Sequence, residues 1–210
     1  MKIQARDFFS TAEREKIRQA VAEAEKGTTG EIAVMVVDES DRYRDAEILG
    51  ALLVAGLVSV ILSVALHHVT IWFFLPVLFL LFFPCWYLFR KLPHLKLALL
   101  SYRRTHHAVT ERAILSFYQK GLYRTKKGTG VLIYISLLEH RVWILGDKGI
   151  NEKIEPGFWD SLVQELTSGI RAGRALDALC AVIARCGAVL TQQFPGRPDD
   201  TNELPDDVIS

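Results

Sequence analysis

Polar and apolar positions are distributed unevenly along this 210-residue chain, and between positions 48 and 89 there is no Asp, Glu, Lys or Arg. Two apolar blocks lie inside that stretch, 48–66 and 71–89, separated only by His67, His68, Val69 and Thr70. A helix that crosses a hydrocarbon core about 30 Å thick needs roughly 20 apolar residues, so the pattern predicts a two-helix transmembrane hairpin. A hairpin buried in a water-soluble core is the competing reading, but the remaining chain is too short to surround two helices that are apolar on every side. A shallow re-entrant hairpin is the third, because Pro76 and Pro84 would kink the second block. Trp72, Trp86 and Tyr87 stand near the ends of that block, where aromatic belts form. His67 and His68 read either as polar turn residues at headgroup level or as a metal or proton site on the outer surface.

Outside the hairpin the periodicity changes. Ser10 followed by Glu13 is a capping box, and Ile17, Ala20, Val21 and Ala24 then recur at helical spacing, with Gly27 suited to end the helix. After the turn Thr28-Thr29-Gly30, the β-branched run from Glu31 to Asp38 predicts a buried strand. Beyond the hairpin, Val109, Ala113, Phe117 and Leu122 predict one long helix over 97–123. The run 128–147 predicts two antiparallel strands joined by a tight turn at Glu139 and His140. The helix between the first strand and the one after Thr129 allows a parallel crossover. Two helices, over 158–171 and 174–193, complete the order. The fold class that follows is α/β: a small mixed β-sheet sandwiched by helices and interrupted by the transmembrane hairpin. The expected divisions are 1–45 and 93–194 for the two parts of the α/β domain, 46–92 for the hairpin, and 195–210 for an acidic tail, extended or disordered.

Charge sets an expected orientation. Arg42 and Arg44 precede the hairpin, Arg90, Lys91, Lys96, Arg103 and Arg104 follow it, and the connector has neither Lys nor Arg. The positive-inside rule then puts both chain ends and the α/β domain on the cytoplasmic side. The first residues lack an apolar core and a cleavage site, so no secretory signal peptide is expected. Three cysteines, Cys85, Cys180 and Cys186, do not suggest a disulfide framework. A net charge of +1 with no basic stripe interleaved with aromatics gives no support for nucleic-acid binding. The expected partners are therefore the lipid bilayer and another membrane protein or a second copy of the chain. Gly50, Ala51, Ala55 and Gly56 offer small surfaces for helix contact.

The order of these pieces resembles the TPM domain family, which includes thylakoid lumen and photosystem II repair proteins and bacterial relatives. Residues 8–37 resemble its first helix and strand. Ala113, Phe117, Gly121-Leu122, Thr125 and 130–133 resemble its second helix and strand, and 143–150 its third strand with the following Gly-Asp turn. The internal hairpin departs from family members that are exported and carry one C-terminal anchor. The resemblance implies a membrane-tethered bacterial branch at the inner membrane. It also implies either an interaction or assembly role or an acid-phosphatase-like activity with Ca²⁺ or Mg²⁺.

Candidate chemistry is sparse. Asp147 follows a strand and Asp38 ends another; if those strand ends lie together, the two carboxylates can share one Ca²⁺ or Mg²⁺ and serve a phosphatase. Both equally fit turn residues that hydrogen-bond local backbone. Glu31 opens its strand and is expected to pair structurally with a nearby cation. His107 and Glu111 share a helix face, as a metal pair or as a solvated one. There is no P-loop, no Cys-x5-Arg loop, no Asp-x-Asp pair and no Gly-x-Ser-x-Gly elbow. Transport is disfavoured, because the two blocks contain no ionisable Asp, Glu, Lys or Arg.

Overall fold

The chain begins with one helical turn that has no counterpart in the hydrophobic pattern, α1 (Ala5–Phe8). Ser10 then caps α2 (Thr11–Glu25): its hydroxyl accepts the Glu13 N–H, and the Glu13 carboxylate accepts the Ser10 N–H at 2.8 Å. Ile17 and Val21 are buried on this helix and Ala20 and Ala24 pack beside them. Gly27 does not close the helix in a left-handed cap. It is instead a point of close approach, where a Cβ would lie 3.2 Å from Thr191 and where the carbonyl accepts the Gly196 N–H.

Strand β1 (Glu31–Val37) leads to two long apolar helices, α3 (Arg44–Ala65) and α4 (Ile71–Lys91). The predicted single helix over 97–123 is two: α5 (Pro93–Ala98) and α6 (Tyr102–Gln119). Ser101 starts the second, accepting the Arg104 N–H on both its hydroxyl and its carbonyl. Gly121, with φ +77°, ends it, and Leu122–Arg124 form a 3₁₀ turn. The hairpin β2 (Gly130–Ser136) and β3 (Arg141–Gly146) follows, then α7 (Lys148–Asn151), α8 (Phe158–Arg171) and α9 (Ala175–Gln193). This computed structural model describes residues 4–68, 70–125, 128–196 and 207–209.

Contacts divide the chain into a unit of Met1–Ser40 with His107–Ser210 and a unit of Asp41–His106. In the first, the sheet order is β1-β2-β3. β1 runs parallel to β2, from Glu31 opposite Gly130 to Val37 opposite Ser136, and β3 returns antiparallel, from Arg141 opposite Ser136 to Gly146 opposite Val131. β2 is buried at every position, as the centre of a sheet covered on both faces must be. One face presents Ile32, Val34, Val36, Val131, Ile133, Ile135, Val142 and Ile144 to a core completed by α2, α8 and α9. The other presents Ala33, Leu132 and Tyr134 to Val109, Ala113 and Phe117 of α6, with Leu122. The α/β class and the mixed three-stranded sheet expected from the pattern are therefore present.

The tail contributes to this unit. Ile209 bridges Met35, with the Val36 N–H donating to the Ile209 carbonyl and the Ile209 N–H donating to Val34, both at 2.9 Å, and Val208 joins the core. The end of the chain thus adds to the open edge of β1, which would otherwise present unpaired backbone groups. Most of the expected acidic tail, 197–206, lies outside the described residues.

In the second unit α3 and α4 pack along their length. The contact face of α3 is a stripe at four-residue spacing, Ala51, Ala55, Ser59 and Ser63, all buried. Small residues permit close backbone approach, and the two serines donate to their own helix, to Ala55 O at 2.7 Å and Ser59 O at 2.8 Å. Gly50 seats Phe89, whose ring occupies the place a Cβ would take there. The small surface is thus used within the chain. At the foot of the pair, Lys96 Nζ meets Glu47 Oε1 at 2.5 Å, with the two side chains 6% and 9% exposed, and Lys96 also donates to Arg42 O at 3.4 Å. Arg104 pairs with Asp45 beside it.

Candidate functional site

The strand directions decide the fate of the proposed carboxylate pair. Asp38 lies just past Val37, at the end where β1 and β2 finish, whereas Asp147 lies beyond Gly146, and its N–H donates to Gly130 O at the end where β2 begins. Seven residue rows separate them, about 23 Å at 3.3 Å per residue. A shared cation is therefore not formed, because β3 runs antiparallel and carries its C-terminal end away from that of β1.

Each acid has a local task. Asp147 caps α7: its Oδ1 accepts the Lys148 N–H at 2.7 Å and its carbonyl accepts the N–H of Ile150 and Asn151. Asn151 locks the same corner, donating to Gly146 O at 2.7 Å and accepting from Trp159 Nε1 at 2.9 Å. Asp38 holds the first helical turn, its Oδ1 accepting the Ala5 N–H at 2.6 Å while its carbonyl accepts the Leu138 N–H. Glu31 is buried at the start of β1, its N–H donating to Thr129 O. His107 and Glu111 face each other at 3.3 Å, both exposed. His67, with φ +56°, and His68 are exposed in the link between α3 and α4. No group of three or more His, Cys, Asp and Glu side chains able to hold a metal occurs among the described residues.

A polar cluster not anticipated from the sequence sits at the finishing ends of β1 and β2. The Ser40 hydroxyl donates to Ser136 Oγ at 2.9 Å, and Ser136 donates to Glu139 Oε2. Glu139 Oε1 accepts the Ser40 N–H at 2.9 Å. Tyr134 Oη lies 3.2 Å from Ser40 Oγ. The Ser40 proton is already given to Ser136, so the phenol is the donor in that contact. The chain of donors thus runs from Tyr134 through Ser40 and Ser136 to Glu139. Burial pushes the Tyr134 phenol above its ordinary pKa, and Ser136 and Glu139 are 1% and 9% exposed. A buried network with its members mutually satisfied fixes structure. Here it clamps the segment 38–40, where the chain leaves β1, to the β2–β3 turn. Ser40, Ser136 and Glu139 are each unremarkable in sequence; only the parallel register of β1 and β2 places them together.

Cys186 is 1% exposed and burial pushes its thiol up to about 12. Burial also raises Cys180.

Three described helices are long and apolar enough to cross a membrane: Arg44–Ala65 with 22 residues, Ile71–Lys91 with 21 and Ala175–Gln193 with 19. They differ in what surrounds them. On α9 the apolar side chains Leu179, Val182, Ile183 and Leu190 are fully or almost fully buried in the sheet unit, so its composition is that of a core helix. On α3 and α4 large apolar side chains point outward: Leu57 is 64% exposed, Trp72 85% and Leu80 73%.

Residues 93–189 match the TPM domain family. No curated protein matches the chain. The structure is similar to the NMR structure of the BA42 protein from the psychrophilic bacteria Bizionia argentinensis sp. nov., with a TM-score of 0.60 and 23% identity, covering 96% of this chain and 94% of that one. The family match begins at Pro93, after the two apolar helices.

Proposed function

We propose that this chain, which carries a TPM domain over residues 93–189, is a membrane-anchored interaction or assembly module whose α/β unit works at the cytoplasmic face of a bacterial inner membrane. The observation that carries the reading is the outward apolar surface of α3 and α4. Water-exposed patches on monomeric proteins seldom exceed a few hundred Å², whereas here two helices of 22 and 21 residues expose Leu, Ile, Val, Phe and Trp over their lengths. A hydrocarbon core removes that cost, and the backbone groups are satisfied within the helices as lipid requires. The orientation is supported by Arg42 and Arg44 before the pair and Arg90 and Lys91 after it. A binding role is supported by the polar groups of the α/β unit: Asp38, Asp147 and the Ser40 cluster are each engaged in holding the fold. Crosslinking in native membranes tests the proposal. The expected result is a reproducible crosslinked partner, either another membrane protein or a second copy, attached through the α/β unit. Protease that removes this unit from right-side-out vesicles and spares it in inverted ones would contradict the orientation, and an absence of crosslinks above background would contradict the module.

A further inference from the structure

Charge is segregated along this chain far more than its total suggests. Residues 90–127 hold ten Lys and Arg against one acidic residue, Glu111, and the remaining positions hold fifteen against twenty-three. A chain of formal charge +1 therefore divides into +9 and −8. Within that segment Lys96 and Arg104 are already paired with Glu47 and Asp45, whereas Lys120 and Arg124 follow α6, the helix that covers the second face of the sheet.

That helix also exposes the wrong residues for contact with water alone. Its inner side is Val109, Ala113, Ser116 and Phe117, all buried, while Ile114 is 39% exposed, Leu115 44% and Tyr118 57%. Tyr123, 42% exposed, continues the patch, with its ring 5.3 Å from that of Tyr118 and the Arg124 guanidinium 5.4 Å above it. Lys120 is exposed beside them, and Glu111, the acidic member of this surface, lies 3.3 Å from His107. Aliphatic and tyrosine side chains with Lys120 and Arg124 beside them form a surface suited to the headgroup layer of a membrane, where amphipathic rings and cations both find partners.

We infer that the outer face of α6 with Tyr123 and Arg124 is a docking surface for anionic lipid, so that the TPM domain lies on the bilayer through this patch in addition to its anchor. The inference rests on the membrane-anchored reading above. The attraction of each basic residue to such a surface is screened by salt.

The test uses the full chain with Cys85→Ala and Cys180→Ala, in which buried Cys186 stays unlabelled, and an environment-sensitive fluorophore at Tyr118→Cys. A second probe at Gln164→Cys, exposed on α8, serves as the reference. Each is reconstituted in phosphatidylcholine vesicles with or without about one quarter phosphatidylglycerol, and accessibility to acrylamide is read. The expected result is about threefold lower accessibility at position 118 in the anionic vesicles, reversed by about 0.5 M salt and by Lys120→Glu with Arg124→Glu, and no change at position 164. Equal accessibility at position 118 in both vesicles, with the protein still inserted, overturns this inference and leaves the anchor standing. Low accessibility in both, raised by Asp199→Asn, Asp200→Asn and Glu203→Gln, assigns the patch to the chain's own acidic tail and overturns it also. A chain washed from the vesicles by alkali overturns both readings.

Discussion

Replacing Lys96 by methionine is expected to destabilise the α3–α4 unit by about 3–5 kcal/mol, the cost of leaving a buried charge without its counterion. The ammonium and the Glu47 carboxylate sit 2.5 Å apart and are 6% and 9% exposed, so the single substitution leaves the Glu47 carboxyl without its partner in a site that water barely reaches. The double variant Lys96→Met with Glu47→Leu removes both desolvation costs and is expected to recover most of the loss, within about 1 kcal/mol of the wild type. Thermal unfolding of the four proteins of this cycle in one detergent gives the coupling directly. A Lys96→Met protein as stable as the wild type would show that the pair is solvated in use and does not hold the foot of the helices.

The second large effect is expected at Gly187→Val. A Cβ at Gly187 would lie 2.6 Å from Ala24 Cβ, 2.9 Å from Ala24 Cα and 3.0 Å from Ala24 O. Two of those three atoms are backbone, so no rotamer change relieves the clash, and α2 and α9 must separate. That contact closes the core around Ile17, Val21, Val182, Ile183 and Leu190, each at most 1% exposed. Overpacking a tight interior typically costs about 1–3 kcal/mol and more where the backbone has to move, and the outcome expected here is the upper end of that range. Ala188→Val, one residue along on the exposed side of the same helix, reports the helix-propensity cost alone, a few tenths of a kcal/mol to about 0.7. Denaturant midpoints of the two variants separate the effects; equal midpoints would mean that α2 and α9 do not approach as closely as described.

What the sequence made visible follows from how local each signal is. The capping box at Ser10 and Glu13 and the stripe at Ile17 and Val21 concern neighbours within two helical turns, and they stand as expected. The β1, β2 and β3 runs are short and β-branched, and their order is as expected too. The break at 99–101 was hidden because the apolar spacing of Val109, Ala113 and Phe117 continues to Leu122 and says nothing of where a helix starts. The small-residue surface of α3 was visible, but spacing alone does not choose among the faces that carry it. The stripe in use runs through Ser59 and Ser63, and Gly56 stands at its margin. The tail's pairing at Ile209 involves a single bridge, too short to leave a period.

The candidate site is a different case. A parallel β1–β2 pair and an antiparallel β2–β3 return already require Asp38 and Asp147 to lie at opposite ends of the sheet. The separation was thus a consequence of the expected topology. The cluster of Ser40, Tyr134, Ser136 and Glu139 depends on register, on residues about a hundred positions apart, and on which face each strand position takes. None of these is written in a local pattern.

The central claim, that α3 and α4 reside in lipid, is tested most directly by alkaline carbonate extraction of membranes from cells producing the full chain. The protein is expected to stay with the pelleted bilayer and to be released only by detergent. Recovery of folded, monomeric full-length protein in the carbonate supernatant would contradict it.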